Sequence, residues 1–235
     1  MTVVEHLTEL RRRIVISLIA VALTAAIAYV FAPDIIKWLL EYYKDATDGD
    51  QTFFIFTGPL DAFLTRLKIA TYGGILLAVP IWLWQLWRFI TPGLYEREKR
   101  YAIPFVAASI FLFLLGAALA LITFPKALDF FRAFGGNSLE LLYTPGKYLG
   151  LLMLMMVVFG LGFEFPIVLV FLEVAGVLSW RQLRGWRRYA IVTIFVVDAI
   201  ITPSGDPFTL MAMAIPMCIF YEISILIGRF AIRRA

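Results

Sequence analysis

Long apolar runs constrain this chain more than any other feature of its sequence. They cover residues 14–31, 69–89, 101–124, 149–174, 189–202 and 208–227. A helix needs about 20 predominantly apolar residues to cross the roughly 30 Å of bilayer hydrocarbon. Hydrophobic residues make up 62% of the sequence, whereas soluble proteins contain about 45–50%. The sequence therefore predicts an all-α, polytopic membrane protein in which residues 1–235 form one domain of six transmembrane helices.

The fifth run, residues 189–202, is the shortest of the six. At 1.5 Å per residue it covers about 21 Å, which is less than the thickness of the hydrocarbon layer. We therefore expect the bilayer to thin around this segment, or the segment to sit in a recess lined by protein.

Basic residues indicate the orientation, because cytoplasmic loops carry an excess of Lys and Arg. With six spans, most of the 21 basic residues fall on one side of the membrane. These are Arg11, Arg12, Arg13, Arg88, Arg97, Lys99, Arg100, Arg181, Arg184, Arg187, Arg188, Arg229, Arg233 and Arg234. Both termini are therefore predicted to be cytoplasmic.

Prolines interrupt several runs, at Pro80, Pro104, Pro166 and Pro216. Proline removes a backbone donor and bends a helix, and membrane proteins tolerate this where neighbouring groups satisfy the freed carbonyl. We therefore predict bent helices that form a concave bundle.

Two amphipathic segments accompany the runs. Residues 33–43 have one apolar face, so they form either an interfacial helix or an extension of the first span broken at Pro33. Thr2 and Glu5 resemble a capping box, and an apolar stripe follows them. We expect an amphipathic helix to lead into the first span.

Acidic residues in or beside the runs are candidates for function. Glu164 lies within the fourth run, where a charge costs several kcal/mol unless it is paired or hydrated. It is either a binding or proton-handling residue or a structural hydrogen-bond partner. For Glu222 we favour a hydrogen bond between helices, and Asp206 has the simple interpretation of a solvated carboxylate in a turn. Asp198 lies in the short fifth run.

Composition argues against familiar hydrolytic chemistry. The single histidine, His6, precedes the first run, and Cys218 is the single cysteine. An intramembrane Ser/His protease is therefore disfavoured, although an aspartyl dyad stays open, and neither a metal site nor a cofactor is predicted. A small proton-coupled transporter that uses Glu164 and Asp198 is the alternative function.

Charged residues flanking the runs have simple explanations too. Glu9 and Arg13 are four residues apart, which favours an ion pair within one helix. Glu98 would sit in the first turn of the third span, where a carboxylate favours the helix dipole.

Four motifs together nevertheless resemble the TatC family, the receptor core of the twin-arginine translocase. They are His6-Leu7-x-Glu9-Leu10-Arg11-x-Arg13, the loop from Trp87 to Arg100 with Pro92 and Glu98, Phe163-Glu164-x-Pro166, and Thr202-Pro203 before Asp206. The resemblance covers essentially the whole chain. It implies a receptor that is not an enzyme and that lies in the cytoplasmic membrane, or in a thylakoid if the source is plastid.

The resemblance also implies partners and site residues. The partners are TatA-like and TatB-like single-span proteins, twin-arginine signal peptides of folded cargo, and further copies of the receptor; nucleic acid is not among them. Residues implied to bind the signal peptide are Glu9, Glu98, Phe89, Arg11 and Arg13. Glu164 would face the concave side of the bundle, and partner contact and assembly involve the region of Thr202, Pro203 and Asp206, together with Glu222.

Arginine suits such a site because a carboxylate can bind a guanidinium through two parallel hydrogen bonds, which lysine cannot reproduce. Three positions depart from the family pattern. Asp61 stands where glutamate is common, Leu210 where many members have a polar residue, and Asp198 where a small or apolar residue is expected.

Overall fold

A computed structural model describes residues 3–46, 56, 58–90, 102–135 and 144–230. All elements in these ranges are helices, which confirms the all-α prediction. They are α1 (Val3–Val30), α2 (Ala32–Ala46), α3 (Asp61–Leu77), α4 (Val79–Ile90), α5 (Ala102–Gly135), α6 (Pro145–Gly162), α7 (Phe165–Val174), α8 (Trp180–Ile201) and α9 (Pro207–Phe230).

Four helical segments of the described chain are long and apolar enough to cross a membrane. They are α1, α5, α6 continued by α7, and α9; the pair α3 and α4, bent by 52°, makes up to five. Helix α8 is not among them, because its amino-terminal half carries Arg181, Arg184, Arg187 and Arg188. Five predicted runs thus have matching segments, whereas a sixth crossing and the orientation stay predictions.

Two helix breaks lie just before prolines. α3 ends at Leu77, and α4 starts with Pro80 as its second residue. α7 has Pro166 as its second residue, after a break at Phe163 and Glu164. The prediction of a proline-bent span is correct for α3 and α4, which are bent by 52°, whereas α6 and α7 together form one apolar segment that is interrupted but lacks so large a bend.

Two other prolines interrupt no helix. Pro104 is the third residue of α5, where the missing N–H would have no partner within the helix anyway. Pro216 lies inside α9, which continues on both sides of it.

Helix α1 is continuous and contains both the predicted amphipathic stretch and the first span. Helix α2 is separate, starting after Phe31, so residues 33–43 do not simply extend the first span. Its Leu39 is buried, and the Tyr42 hydroxyl donates to the carbonyl of Leu121 on α5. Helix α2 is therefore attached to the bundle.

The helices pack in a continuous series. α1 lies against α3 and α4, α3 against α6, and α6 against α5; α5 also contacts α4 and α9, and α9 contacts α7 and α8. The largest core cluster contains Phe124, Leu152, Met155 and Phe159, all fully buried.

Ring contacts define one end of this bundle, which we call the amino end. His6 of α1 stacks on Phe89 of α4 with ring centroids 4.4 Å apart. Trp87 of α4 stacks on Phe105 of α5 at 5.2 Å. The amino end therefore brings together residues that are far apart in sequence.

Candidate functional site

The contact between α1 and α4 at the amino end holds a polar triad. Arg13 Nη2 donates to Glu9 Oε1 at 2.9 Å, and Arg13 Nη1 donates to Gln85 Oε1 at 2.9 Å. The side chains of Arg13 and Glu9 are only 15% and 18% exposed. Glu9 Oε2 and Arg13 Nε are buried and have no hydrogen-bond partner. The triad thus contains a charge pair with one acceptor left over.

Phe89, one of the predicted site residues, lies at the same contact between α1 and α4. Phe89 is half-buried and stacks on His6, one turn before Glu9 on α1. Arg11 is exposed on α1. The structure therefore brings Glu9, Arg13 and Phe89 to one helix contact, whereas Glu98 lies outside the described residues.

Glu164 sits at the break between α6 and α7, next to a second polar chain. The Trp87 indole Nε1 donates to the buried hydroxyl of Ser109 at 2.7 Å. Ser109 in turn lies beside the carboxyl group of Glu164. Glu164 Oε1 is buried without a hydrogen-bond partner. Helix α4 therefore contributes to both the triad and the surroundings of Glu164.

The turn before α9 is a buried hydrogen-bonded structure, so the interpretation of Asp206 as a solvated carboxylate is wrong. Asp206 is 1% exposed. Its Oδ1 accepts from the Thr209 backbone N–H at 2.9 Å, and its Oδ2 accepts from the Thr209 hydroxyl at 2.5 Å. Ser204 lies 2.6 Å from the same hydroxyl. The carboxylate is therefore the amino-terminal cap of α9.

Two predicted assembly residues precede this cap. Thr202 is 5% exposed and ends α8, and its hydroxyl lies 3.9 Å from the sulfur of Met213 on α9. Pro203 follows and is half-buried. Gly205 has a φ of 63°, a conformation that glycine adopts without strain. Thr202, Pro203 and Asp206 thus form one compact turn.

Glu222 on α9 pairs with Arg187 on α8, which agrees with the predicted hydrogen bond between helices. Arg187 Nη2 lies 2.5 Å from Glu222 Oε2, with side chains 45% and 44% exposed. Because the pair is half exposed, it contributes about 0–1 kcal/mol to stability.

Three polar residues were missed by sequence reasoning. Gln85 and Ser109 are isolated polar residues in apolar helices, a signal similar to the one that singled out Glu164. Glu173 is 5% exposed, and both of its carboxyl oxygens are buried without hydrogen-bond partners. A Cβ on Gly228 of α9 would overlap that carboxylate. Acidic residues within membrane spans are often functional, so the reasoning that selected Glu164 would also have selected Glu173.

Asp198 is fully buried on α8, and neither carboxyl oxygen has a hydrogen-bond partner. Nearby, an apolar cavity of about 440 Å³ lies between α7, α8 and α9, lined by Phe165, Leu183, Trp186, Ile194, Met217 and Tyr221 among others. Within the described ranges, no three or more His, Cys, Asp or Glu side chains are grouped so as to hold a metal ion.

Known proteins resemble this chain over nearly all of its length. The family model described as Sec-independent protein translocase protein TatC matches residues 5–216. A relative of that name from Frankia casuarinae is 41% identical over 97% of this chain, which spans 65% of that relative's length. One from Aquifex aeolicus is 41% identical, with 100% of this chain and 97% of the relative covered.

A solved structure is similar as well. It is described as a crystal structure of the twin arginine translocase receptor TatC, and it is 39% identical to this chain with a TM-score of 0.79. The match covers 96% of this chain and 99% of that one.

Proposed function

Because this chain belongs to the TatC family of membrane receptors of the twin-arginine translocase, which are not enzymes, we propose that it binds Arg-Arg signal peptides of folded cargo. The binding surface is the contact between the amino-terminal part of α1 and the carboxyl-terminal part of α4, together with Glu98. Glu9 and Glu98 select the arginine pair, and Phe89, Arg11 and Arg13 complete the surface.

The observation that carries this proposal is the unsatisfied carboxylate of Glu9. Its Oε2 is buried and has no hydrogen-bond partner, although its Oε1 is bound to Arg13. A buried acceptor without a partner carries a desolvation cost of about 1–3 kcal/mol, which an incoming donor would relieve. An arginine side chain offers five such donors and a positive charge.

Two carboxylates select the peptide without supplying most of its affinity. Exposed ion pairs contribute about 0–1 kcal/mol each, and filling the buried oxygen of Glu9 regains about 1–3 kcal/mol, whereas micromolar binding requires about 8 kcal/mol. The remainder comes from the apolar part of the signal peptide, at about 0.8 kcal/mol for each buried CH₂ group. Exposed apolar side chains on α1, such as Leu18 and Leu23, offer a surface for it.

We assign the other residues to assembly. TatA-like and TatB-like single-span subunits and further copies of the receptor would bind around the α8–α9 hairpin, whose turn is shaped by Thr202, Pro203 and Asp206. The Arg187–Glu222 pair would keep its two helices in register. Glu164 would present its free oxygen toward the concave side of the bundle.

Transport itself would draw on the proton gradient, where each charge that crosses is worth about 2.3 kcal/mol per 100 mV. Both termini would face the cytoplasm, at the inner membrane of a bacterium or a thylakoid membrane. The transporter alternative with Glu164 and Asp198 gains no support from the relatives named above.

Site-specific photocrosslinking tests the binding proposal. A photoreactive residue replaces Leu10, beside Glu9, or Arg97, beside Glu98, and the receptor meets an Arg-Arg or a Lys-Lys signal peptide. We expect crosslinks with the arginine pair alone, and their loss in the Glu9→Ala/Glu98→Ala variant. Glu41→Ala is the matched control, because it removes an exposed carboxylate from α2. Equal crosslinking of both peptides would refute the assignment, and solute flux through the purified protein would then be the next test.

A further inference from the structure

The triad also explains how the empty site would be kept closed, an inference that rests on the proposed function. We propose that Arg13 occupies Glu9 in the unliganded receptor and that a signal-peptide arginine must displace it. Gln85 holds the displaced guanidinium. Arg13 is then a built-in competitor of the signal peptide, and Gln85 is a positioning residue.

The first step of the argument is the occupancy of Glu9. One of its two oxygens accepts from Arg13 at 2.9 Å, so a second guanidinium could form two parallel hydrogen bonds only by sharing that oxygen and bringing two positive charges together. Only Oε2 is free. The paired binding that the sequence suggested is therefore favoured when Arg13 moves.

The second step is the place to which Arg13 moves. Its other terminal nitrogen already donates to Gln85 Oε1 on α4, 72 residues further along the chain. Arginine has no acceptor, so the amide oxygen of Gln85 must face the guanidinium. A neutral amide can keep this contact after Glu9 has been taken, so Arg13 is not left without a partner.

The third step concerns the energetic balance. The peptide arginine replaces the single hydrogen bond between Arg13 and Glu9 by two parallel ones, a gain that the ammonium group of lysine cannot make. Because every peptide that uses Glu9 must displace the same competitor, Arg13 lowers the affinity for all of them by one factor. The preference for arginine comes from the geometry of the Glu9 carboxylate.

Binding of Arg-Arg and Lys-Lys signal peptides to the full chain in lipid nanodiscs tests this mechanism, with fluorescence anisotropy giving both dissociation constants. In Arg13→Gln we expect tighter binding of both peptides by the same factor, about tenfold, with an unchanged preference for arginine. Arg12→Gln is the matched control, because it removes an exposed charge that has no contact with Glu9 among the described residues. It should leave both dissociation constants unchanged.

Gln85→Leu should have the opposite effect on affinity. Without the amide, Arg13 depends on Glu9 alone, so the Arg-Arg peptide should bind several-fold more weakly. The same substitution should have no effect in an Arg13→Gln background, which is a double-mutant test of coupling. A merely structural role would make both single variants change affinity in the same direction, and that result would overturn the inference.

The outcomes separate the two proposals. If Glu9→Ala abolishes the preference for arginine while Arg13→Gln leaves both dissociation constants unchanged, the binding site stands and the displacement mechanism fails. If Glu9→Ala leaves Arg-Arg binding unchanged, the proposed function of this surface fails.

Discussion

At the scale of single residues, Asp206 shows how a short polar side chain fixes a membrane hairpin. It binds both the backbone N–H and the hydroxyl of Thr209, and Pro207 occupies the first position of α9, where proline fits without losing a hydrogen bond. Asp followed by Pro is a pattern typical of a helix start, but from the sequence Asp206 was interpreted as a solvated carboxylate in a turn. What it could not show was the burial of the turn, which depends on how α8 and α9 pack.

We predict that Asp206→Ala lowers the free energy of unfolding by about 1–2 kcal/mol, because α9 loses its cap and Thr209 loses a partner. Unfolding of the purified protein in mixed micelles measures the change. Asp34→Ala is the control, because its carboxylate is 72% exposed in a weak pair with Lys37. An equal effect of the two substitutions would contradict the role of Asp206 as a buried cap.

The Arg187–Glu222 pair allows a second prediction at this scale. Both side chains are nearly half exposed, so solvent screens their attraction. A double-mutant cycle with Arg187→Gln and Glu222→Gln should give a coupling energy of about 0–1 kcal/mol in the same unfolding assay. A coupling of several kcal/mol would mean that the pair is far better shielded than its exposure indicates.

At the scale of elements, glycines determine how closely α5 and α6 approach. A Cβ on Gly116 of α5 would come within 2.5 Å of the carbonyl oxygen of Phe159 on α6. Gly160 of α6 lies against the ring of Phe113 in the same way. Small residues at such crossings let two membrane helices pack backbone to backbone.

Gly116→Ala should therefore destabilise the protein by about 1–3 kcal/mol, because a backbone atom cannot move aside as a flexible side chain could. Gly185→Ala is the matched control on α8, where nothing lies within 4 Å of the added Cβ. That substitution should be neutral or stabilising by up to about 1 kcal/mol, since alanine favours the helix. Thermal unfolding of the two variants side by side measures the difference.

Apolar runs predicted the helices well, and they failed where a helix changes character along its length. The fifth run started at residue 189, whereas α8 starts at Trp180, because its first half is rich in arginine. The capping box of Ser179 and Gln182 was the sequence signal for that start. The pair of Glu9 and Arg13 followed from spacing alone, but the contact of Arg13 with Gln85 depends on the packing of α1 against α4.

At the scale of the whole molecule, the number of crossings depends on α8. If α8 crosses the membrane, Arg181 and Pro207 lie on opposite sides, and both are exposed. In a Cys218→Ser background, we expect Pro207→Cys to react with an impermeant thiol reagent added outside intact cells. Arg181→Cys should react only after the membrane is opened. If both cysteines react from the same side, α8 does not cross the membrane and the protein has five spans.

The mixed character of α8 has a mechanical consequence for the surrounding lipid. Its apolar half is far shorter than the 24-residue α9 beside it. A bilayer in contact with both helices must be thinner beside α8 than beside α9. This deformation costs a fraction of a kcal/mol for each ångström of mismatch. Two short helices that share one thinned region deform less bilayer than the same two helices far apart. The membrane itself would therefore draw short-helix partners, or a second copy, toward α8 before any side chains touch.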